Sequence, residues 1–183
     1  SNFILTDMKE KGRDFDDVLK EAQALGYAEE DPTFDVEGID AAHKLSILAA
    51  IAFGTELQFD KVSTKGISDI TTEDIIHASE LGYTIKHLGI AKRTGEGIEL
   101  RVHPTLVPNK QLIAQVDGVM NAVMVKSDAL GTSLYYGAGA GDEATASAVI
   151  ADLNDIINNQ TSNHILGWKS QQKLPVIKND DIH

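Results

Sequence analysis

Thr84-Ile85-Lys86-His87-Leu88-Gly89-Ile90-Ala91-Lys92, then Arg93-Thr94-Gly95-Glu96, then Gly97-Ile98-Glu99-Leu100-Arg101-Val102-His103: this stretch decides the fold class. Its two outer runs are β-like, and the four-residue joint with Gly95 is a hairpin signature. Upstream, the spacing is helical. Residues 3–11 predict a helix with Asn2 as cap and Gly12 as stop. Asp14 can cap a second, in which Phe15, Val18, Leu19, Ala22 and Leu25 fall on one face before Gly26. An acidic loop, 27–37, leads to Gly38, which opens a third helix running to about Phe53. Thr71, Thr72, Glu73 and Asp74 start a fourth that ends near Gly82. Downstream, Pro104 and Pro108 bracket an extended piece, and His103 reads as a strand-end residue. Residues 119–126 and 132–136 predict two more strands, and a last helix covers about 144–158. Helices, then strands, then a helix predict an α+β fold: a mixed, largely antiparallel sheet with helices packed on one face. No strand–glycine fingerprint–helix unit opens the chain, so a complete dinucleotide-binding fold is not expected.

The totals narrow the function classes. With 183 residues, the chain has room for one domain with a real core. A formal net charge of −12 with no Lys/Arg cluster argues against nucleic acid and anionic membrane as partners. The same charge suits a soluble cytoplasmic protein. Cysteine is absent, which removes disulfides, thiolate metal sites and a Cys nucleophile together. The six histidines form no metal-ligand spacing, so no metal is expected. No apolar run is long enough to span a membrane, and no signal peptide is evident. After Asn159 the pattern turns polar, so 161–183 reads as a connector and 1–160 as the domain.

Chemistry concentrates on the third helix. Ala41, Leu45, Leu48 and Ala52 form one apolar stripe; Ile47 and Ile51 form another, continued toward the N-terminus by Lys44 and Asp40. A helix apolar nearly all round is expected to be buried. Asp40 and Lys44 lie four residues apart on one face. They fit either a surface ion pair worth roughly 0.3–0.5 kcal/mol or a preformed site for a small polar substrate, and the expected burial favours the site. The preceding Glu29, Glu30, Asp31, Asp35 and Glu37 fit a solvated acidic loop or recognition of a cation or ammonium group. Tyr27 fits a core ring or a substrate contact. Gly137-Ala138-Gly139-Ala140-Gly141 has the look of an anion cradle. However, no Lys follows it and Asp142 and Glu143 occupy the helix start, so close backbone approach to something flat, or tight packing, is preferred.

Several segments together resemble the homoserine dehydrogenase family. They are Asn2-Phe3-Ile4-Leu5-Thr6; Gly26-Tyr27-Ala28-Glu29-Glu30-Asp31-Pro32 with Asp35 and Gly38-Ile39-Asp40-Ala41-Ala42-His43-Lys44; Val102-His103-Pro104; Gly118-Val119-Met120-Asn121-Ala122; and the 137–141 glycines with Thr145-Ala146-Ser147-Ala148-Val149. The resemblance implies interconversion of homoserine and aspartate semialdehyde with NADP or NAD. It implies Lys44 as the catalytic lysine and Asp40 as the aspartate that orients it. Glu29, Asp35 and Tyr27 become substrate contacts, and Gly139, Ala140 and Gly141 lie near the nicotinamide. It also implies a homodimer interface on the sheet, a nucleotide-binding domain lying outside this chain, and an approach at 174–177 to a regulatory domain of the ACT type. The alternative from a different class is a non-catalytic amino-acid-binding or dimerisation module. A related acylating semialdehyde dehydrogenase would need the cysteine that is absent.

Overall fold

The computed structural model describes residues 1–139, 141–158 and 174–177. The elements run α1 (Asn2–Lys11), α2 (Phe15–Ala24), α3 (Thr33–Val36), α4 (Ile39–Phe53), β1 (Ser63–Thr64), α5 (Thr72–Glu80), β2 (Tyr83–Arg93), β3 (Ile98–Pro108), β4 (Met120–Ser127), β5 (Gly131–Ala138) and α6 (Asp142–Asn158). The expected capping box is present: the Asp74 backbone N–H donates to Thr71 Oγ1, and the Thr71 N–H donates to Asp74 Oδ2. The helix start expected at Asn2 is set one residue earlier, at Ser1, which frees the Asn2 side chain for another task.

The strands form two sheets rather than the single sheet expected. In the first, with order β1-β3-β2, β2 and β3 are the long antiparallel hairpin, from Arg93↔Ile98 to Tyr83↔Pro108. Short β1 adds in parallel, Ser63 to Arg101 and Thr64 to Val102. The second sheet is the ribbon β4–β5, Met120↔Ala138 to Ser127↔Gly131. Pro108 has no N–H with which to extend the ladder, and the chain turns through a short 3₁₀ segment at Leu112–Gln115 before β4.

His103 is not a strand end. The strand continues through Pro104 to Pro108, because β1 pairs only with Arg101 and Val102 and leaves β3 an open edge beyond them. An edge position tolerates proline, since no neighbouring strand needs its missing N–H.

Two apolar clusters hold this part together. Ile4, Leu5, Met8, Val18, Ala22, Val36, Ile67 and Ile75 join α1, α2 and α5, with Ile85 of β2 packed against them. Ala42, Leu45 and Ala49 of α4 meet Ile98, Leu100 and Val102 of β3. Full burial of each large aliphatic side chain contributes about 1.5–3 kcal/mol. Leu45 reaches the sheet over Gly89, where an added Cβ would meet its side chain at 3.4 Å. Leu174 and Val176 close the second cluster, and the strand edge receives them. Ile98 N–H donates to Pro175 O and Ile177 N–H to Ile98 O, both at 2.9 Å.

The expectation that α4 is buried all round fails. Its inward stripe is Ala42, Leu45, Ser46 and Ala49, while Ile47 (51% exposed), Leu48 and Ile51 (41%) face outward. One helix against one sheet buries one side, and the second apolar stripe has no cover among the described residues.

Candidate active site

Gly38 sets up the site. It caps α4 at φ 80°, ψ 13°, a left-handed conformation that suits glycine. A Cβ there would lie 2.9 Å from Val102 Cγ1 and 3.0 Å from His87 Cε1. The absence of a side chain lets the start of α4 sit directly on the hairpin, and one turn later the helix presents Asp40 and Lys44. Lys44 Nζ donates to Asp40 Oδ2 at 2.5 Å. The pair is on the surface, with the Lys44 side chain 69% exposed and that of Asp40 37%. Burial, which favoured a site over a bland ion pair, is therefore missing, and the pair is open to whatever approaches α4.

Asp35 enters from α3. That short helix begins in a turn where Asp31 Oδ1 accepts the Thr33 N–H at 3.1 Å. The Thr33 hydroxyl and N–H hold the Asp31 carboxyl below its usual range, which marks Asp31 as a turn-former. Asp35, Asp40 and Lys44 all act on the amino group of Ser1 at the start of α1. Burial lowers the pKa of that amine; Asp35 and Asp40 raise it and Lys44 lowers it.

The remaining predicted residues spread outward. Tyr27 is half exposed and tilts against Phe3 of α1 at 5.1 Å between ring centres, so it borders the same helix start. Glu29 lies on the exposed loop, with its backbone carbonyl accepting from Gln23 Nε2 at 3.0 Å. Glu37 is engaged by the Ser68 hydroxyl. Gly139 follows β5, and Gly141 precedes α6 at φ 110°. Ala140 lies outside the described residues. An added Cβ at Gly137 or Gly141 would meet nothing within 4 Å, so the bare backbone there faces open space, as a flat ring approaching it would need.

Two residues were missed by sequence reasoning, and a third, Asn2, was read only as a helix cap and as part of the resemblance. His87 sits beneath Gly38 with Nε2 3.0 Å from the Lys65 carbonyl. Burial lowers its pKa, opposed by that carbonyl. Lys86 and Asn2 form a polar node around 116–120. No spacing rule flagged His87 or Lys86: a lone Lys or His within an alternating run is read as solvent-facing. A cleft of about 870 Å³ between α5 and the open edge of β3, floored by Ile70, Ala78, Ile85 and Val102, contains none of the predicted site residues. Among the described residues no cluster of His, Asp or Glu is arranged to hold a metal, and no helix is long and apolar enough to cross a membrane.

Comparison with known proteins shows the family. The homoserine dehydrogenase family model matches residues 1–154. The homoserine dehydrogenase of Pseudomonas aeruginosa is 69% identical over 161 residues, covering 88% of this chain and 37% of that protein. That of Helicobacter pylori is 50% identical over 182 residues, covering 100% of this chain and 43% of that protein. Among solved structures, a homoserine dehydrogenase from Thiobacillus denitrificans superimposes with a TM-score of 0.90 at 59% identity, over 97% of this chain and 43% of that one. A hyperthermophilic archaeal homoserine dehydrogenase mutant in complex with NADPH superimposes at 0.68 with 30% identity, over 89% of this chain and 46% of that one. The chain spans about two fifths of the length of the relatives it matches. With a family match over most of its length and such identities, the chain belongs to the homoserine dehydrogenase family.

Proposed function

We propose that this chain is the substrate-binding and catalytic part of a protein that interconverts L-homoserine and L-aspartate 4-semialdehyde with NADP or NAD. The observation that carries the reading is the Asp40–Lys44 pair: a reachable ammonium held 2.5 Å from a carboxylate, one turn into a helix seated on the sheet. In the reductive direction a hydride reaches the aldehyde carbon and charge develops on its oxygen. Lys44 is placed to stabilise that charge and deliver the proton, with Asp40 fixing the direction of its N–H groups. Asp35 of α3 and Asp40 of α4 supply the carboxylates for the substrate's α-ammonium. Glu29 and Tyr27 line the entrance.

The open backbone at Gly137 and Gly141 supports a place there for one side of a nicotinamide, which would supply the hydride. Most of its binding energy comes from a nucleotide-binding domain outside this chain, so the isolated chain does not turn over. The ribbon β4–β5, with Val123, Met124, Val125, Tyr135 and Tyr136 exposed on its two faces, supports a homodimer or a neighbouring domain as cover. The setting is cytoplasmic amino-acid biosynthesis, and 174–177 leads toward a regulatory domain of the ACT type.

The test is a Lys44→Ala variant of the complete protein, assayed with homoserine and NADP. Loss of a general acid costs typically 10²- to 10⁴-fold in kcat. A rate within twofold of the parent would remove Lys44 from the mechanism.

A further inference from the structure

Between β3 and β4 the chain crosses a buried polar node. Lys86, 4% exposed on β2, directs its ammonium to the Val116 carbonyl, to Asp117 Oδ1 at 2.9 Å and to Asn2 Oδ1 at 3.3 Å. The Asn2 amide donates in turn to the carbonyls of Val116 (3.0 Å), Gly118 (3.1 Å) and Met120 (3.1 Å). Thr6, one turn along α1, donates to Asn2 O at 2.9 Å and accepts from the Gly118 N–H at 3.0 Å. A buried lysine kept charged needs such partners. These partners are concentrated on five consecutive residues, 116–120, the root of β4.

What that root holds gives the node its use. Met120 pairs with Ala138 and Asn121 with Gly137. An added Cβ on Gly139 would fall 2.3 Å from Asn121 Nδ2. The glycine segment therefore rides on the two residues at the end of the node. At its other end Lys86 is followed on β2 by His87, whose Cε1 lies 3.0 Å from where a Cβ on Gly38 would stand, at the start of the helix that carries Asp40 and Lys44. The node is thus tied through β2 to the start of α4 and through the root of β4 to the glycine strand.

We propose that Asn2, locked by Lys86 and Thr6, is a positioning residue that fixes Gly137 and Gly139 relative to Asp40 and Lys44. It sets the gap that hydride must cross rather than the affinity for either reactant. This rests on the reading of the two flanks as substrate side and cofactor side. A displacement of about 1 Å at a reacting pair can cost roughly 100-fold in rate without a contact to substrate being lost.

The experiment uses the complete protein carrying Asn2→Ala, with kcat counted per site that binds NADP. The expected result is a fall in kcat of at least tenfold, with KM for homoserine and for NADP each within threefold of the parent. If Asn2→Ala does not fold, Thr6→Val removes one anchor alone, and a smaller fall of the same kind is expected. A kcat per binding site that is unchanged in whichever variant folds would overturn the proposal, as would a loss confined to KM. If Lys44→Ala is fully active, the underlying reading fails; if Lys44→Ala is dead and Asn2→Ala normal, only this inference fails.

Discussion

The two halves of the candidate site stand on unequal foundations. Asp40 and Lys44 ride on α4, whose inner stripe meets Ile98, Leu100 and Val102 in a closed cluster. The glycine segment joins β5 to α6, and neither β4–β5 nor α6 contributes a fully buried side chain. On α6 the residues Val149, Ile150, Leu153, Ile156 and Ile157 form a helical stripe, all of them exposed. An apolar stripe is costly to leave in water, and a two-stranded ribbon is marginal alone. The difference teaches that the Asp40–Lys44 side is held by packing among the described residues, whereas the glycine side is tied down by the polar node at Asn2.

The strongest way to break that comparison is to truncate one residue on each side and measure unfolding of this chain by denaturant titration. Ile98→Ala empties a fully buried position that α4 packs against, and is expected to cost about 2–5 kcal/mol. Leu153→Ala on α6 removes a comparable side chain with no packed cover, and is expected to stay within about 0.5 kcal/mol. Similar losses at both positions would show that α6 is as firmly seated as the sheet.

How far the sequence carried this picture follows the same division. Periodicity identified the hairpin, five of the helices and the Asp40–Lys44 pair, because each depends on neighbours within a few residues. Its errors arose where distant chain decides. The all-apolar α4 predicted burial, yet a single sheet covers one stripe, so Ile47 and Ile51 are left outside. The break into two sheets depends on Pro108 and on what 116–120 can bond to, which no local rule encodes. Asn2 satisfied the pattern of a helix cap, and only the fold reveals that its amide faces three carbonyls more than a hundred residues away. The roles of Tyr27, Glu29 and Asp35 came from family resemblance; the structure puts Asp35 on α3, just ahead of the helix that carries Asp40 and Lys44, and leaves Glu29 on the loop.

A smaller effect sharpens the contrast at its glycines. Gly38→Ala must hold an alanine in the left-handed region, at about 1–2 kcal/mol, and push its Cβ against Val102 and His87 inside the packed half. Gly139→Ala has only the exposed Asn121 side chain to displace, which can swing into solvent. Thermal unfolding of this chain should therefore show a clear drop in midpoint for Gly38→Ala and a shift near the error of measurement for Gly139→Ala. Equal drops would mean that the ribbon end is held as tightly as the start of α4.

The gentlest probe is pH, read through His87. The ring lies under Gly38, and burial lowers its pKa below the ordinary 6.5. The Lys65 carbonyl and Glu37 pull the other way, and the Ser1 amine and His103 add to the lowering. The unfolded chain therefore takes up this proton before the folded one does. Above about pH 6.5 both states hold His87 neutral and stability is unaffected. As pH falls from there toward the lower folded value, the unfolded state is increasingly favoured, by at most about 1.4 kcal/mol per pH unit for one proton. His87→Gln removes the titration, so its stability should vary less between pH 6.5 and 5 than that of the parent. Because the ring lies against Gly38 at the start of α4 and bonds the Lys65 carbonyl beside β1, the lost stability should appear in amide exchange of α4 and β3 before it appears in β4 and β5. An unchanged pH slope in the variant would move the acid sensitivity to another group and leave the support beneath α4 independent of His87.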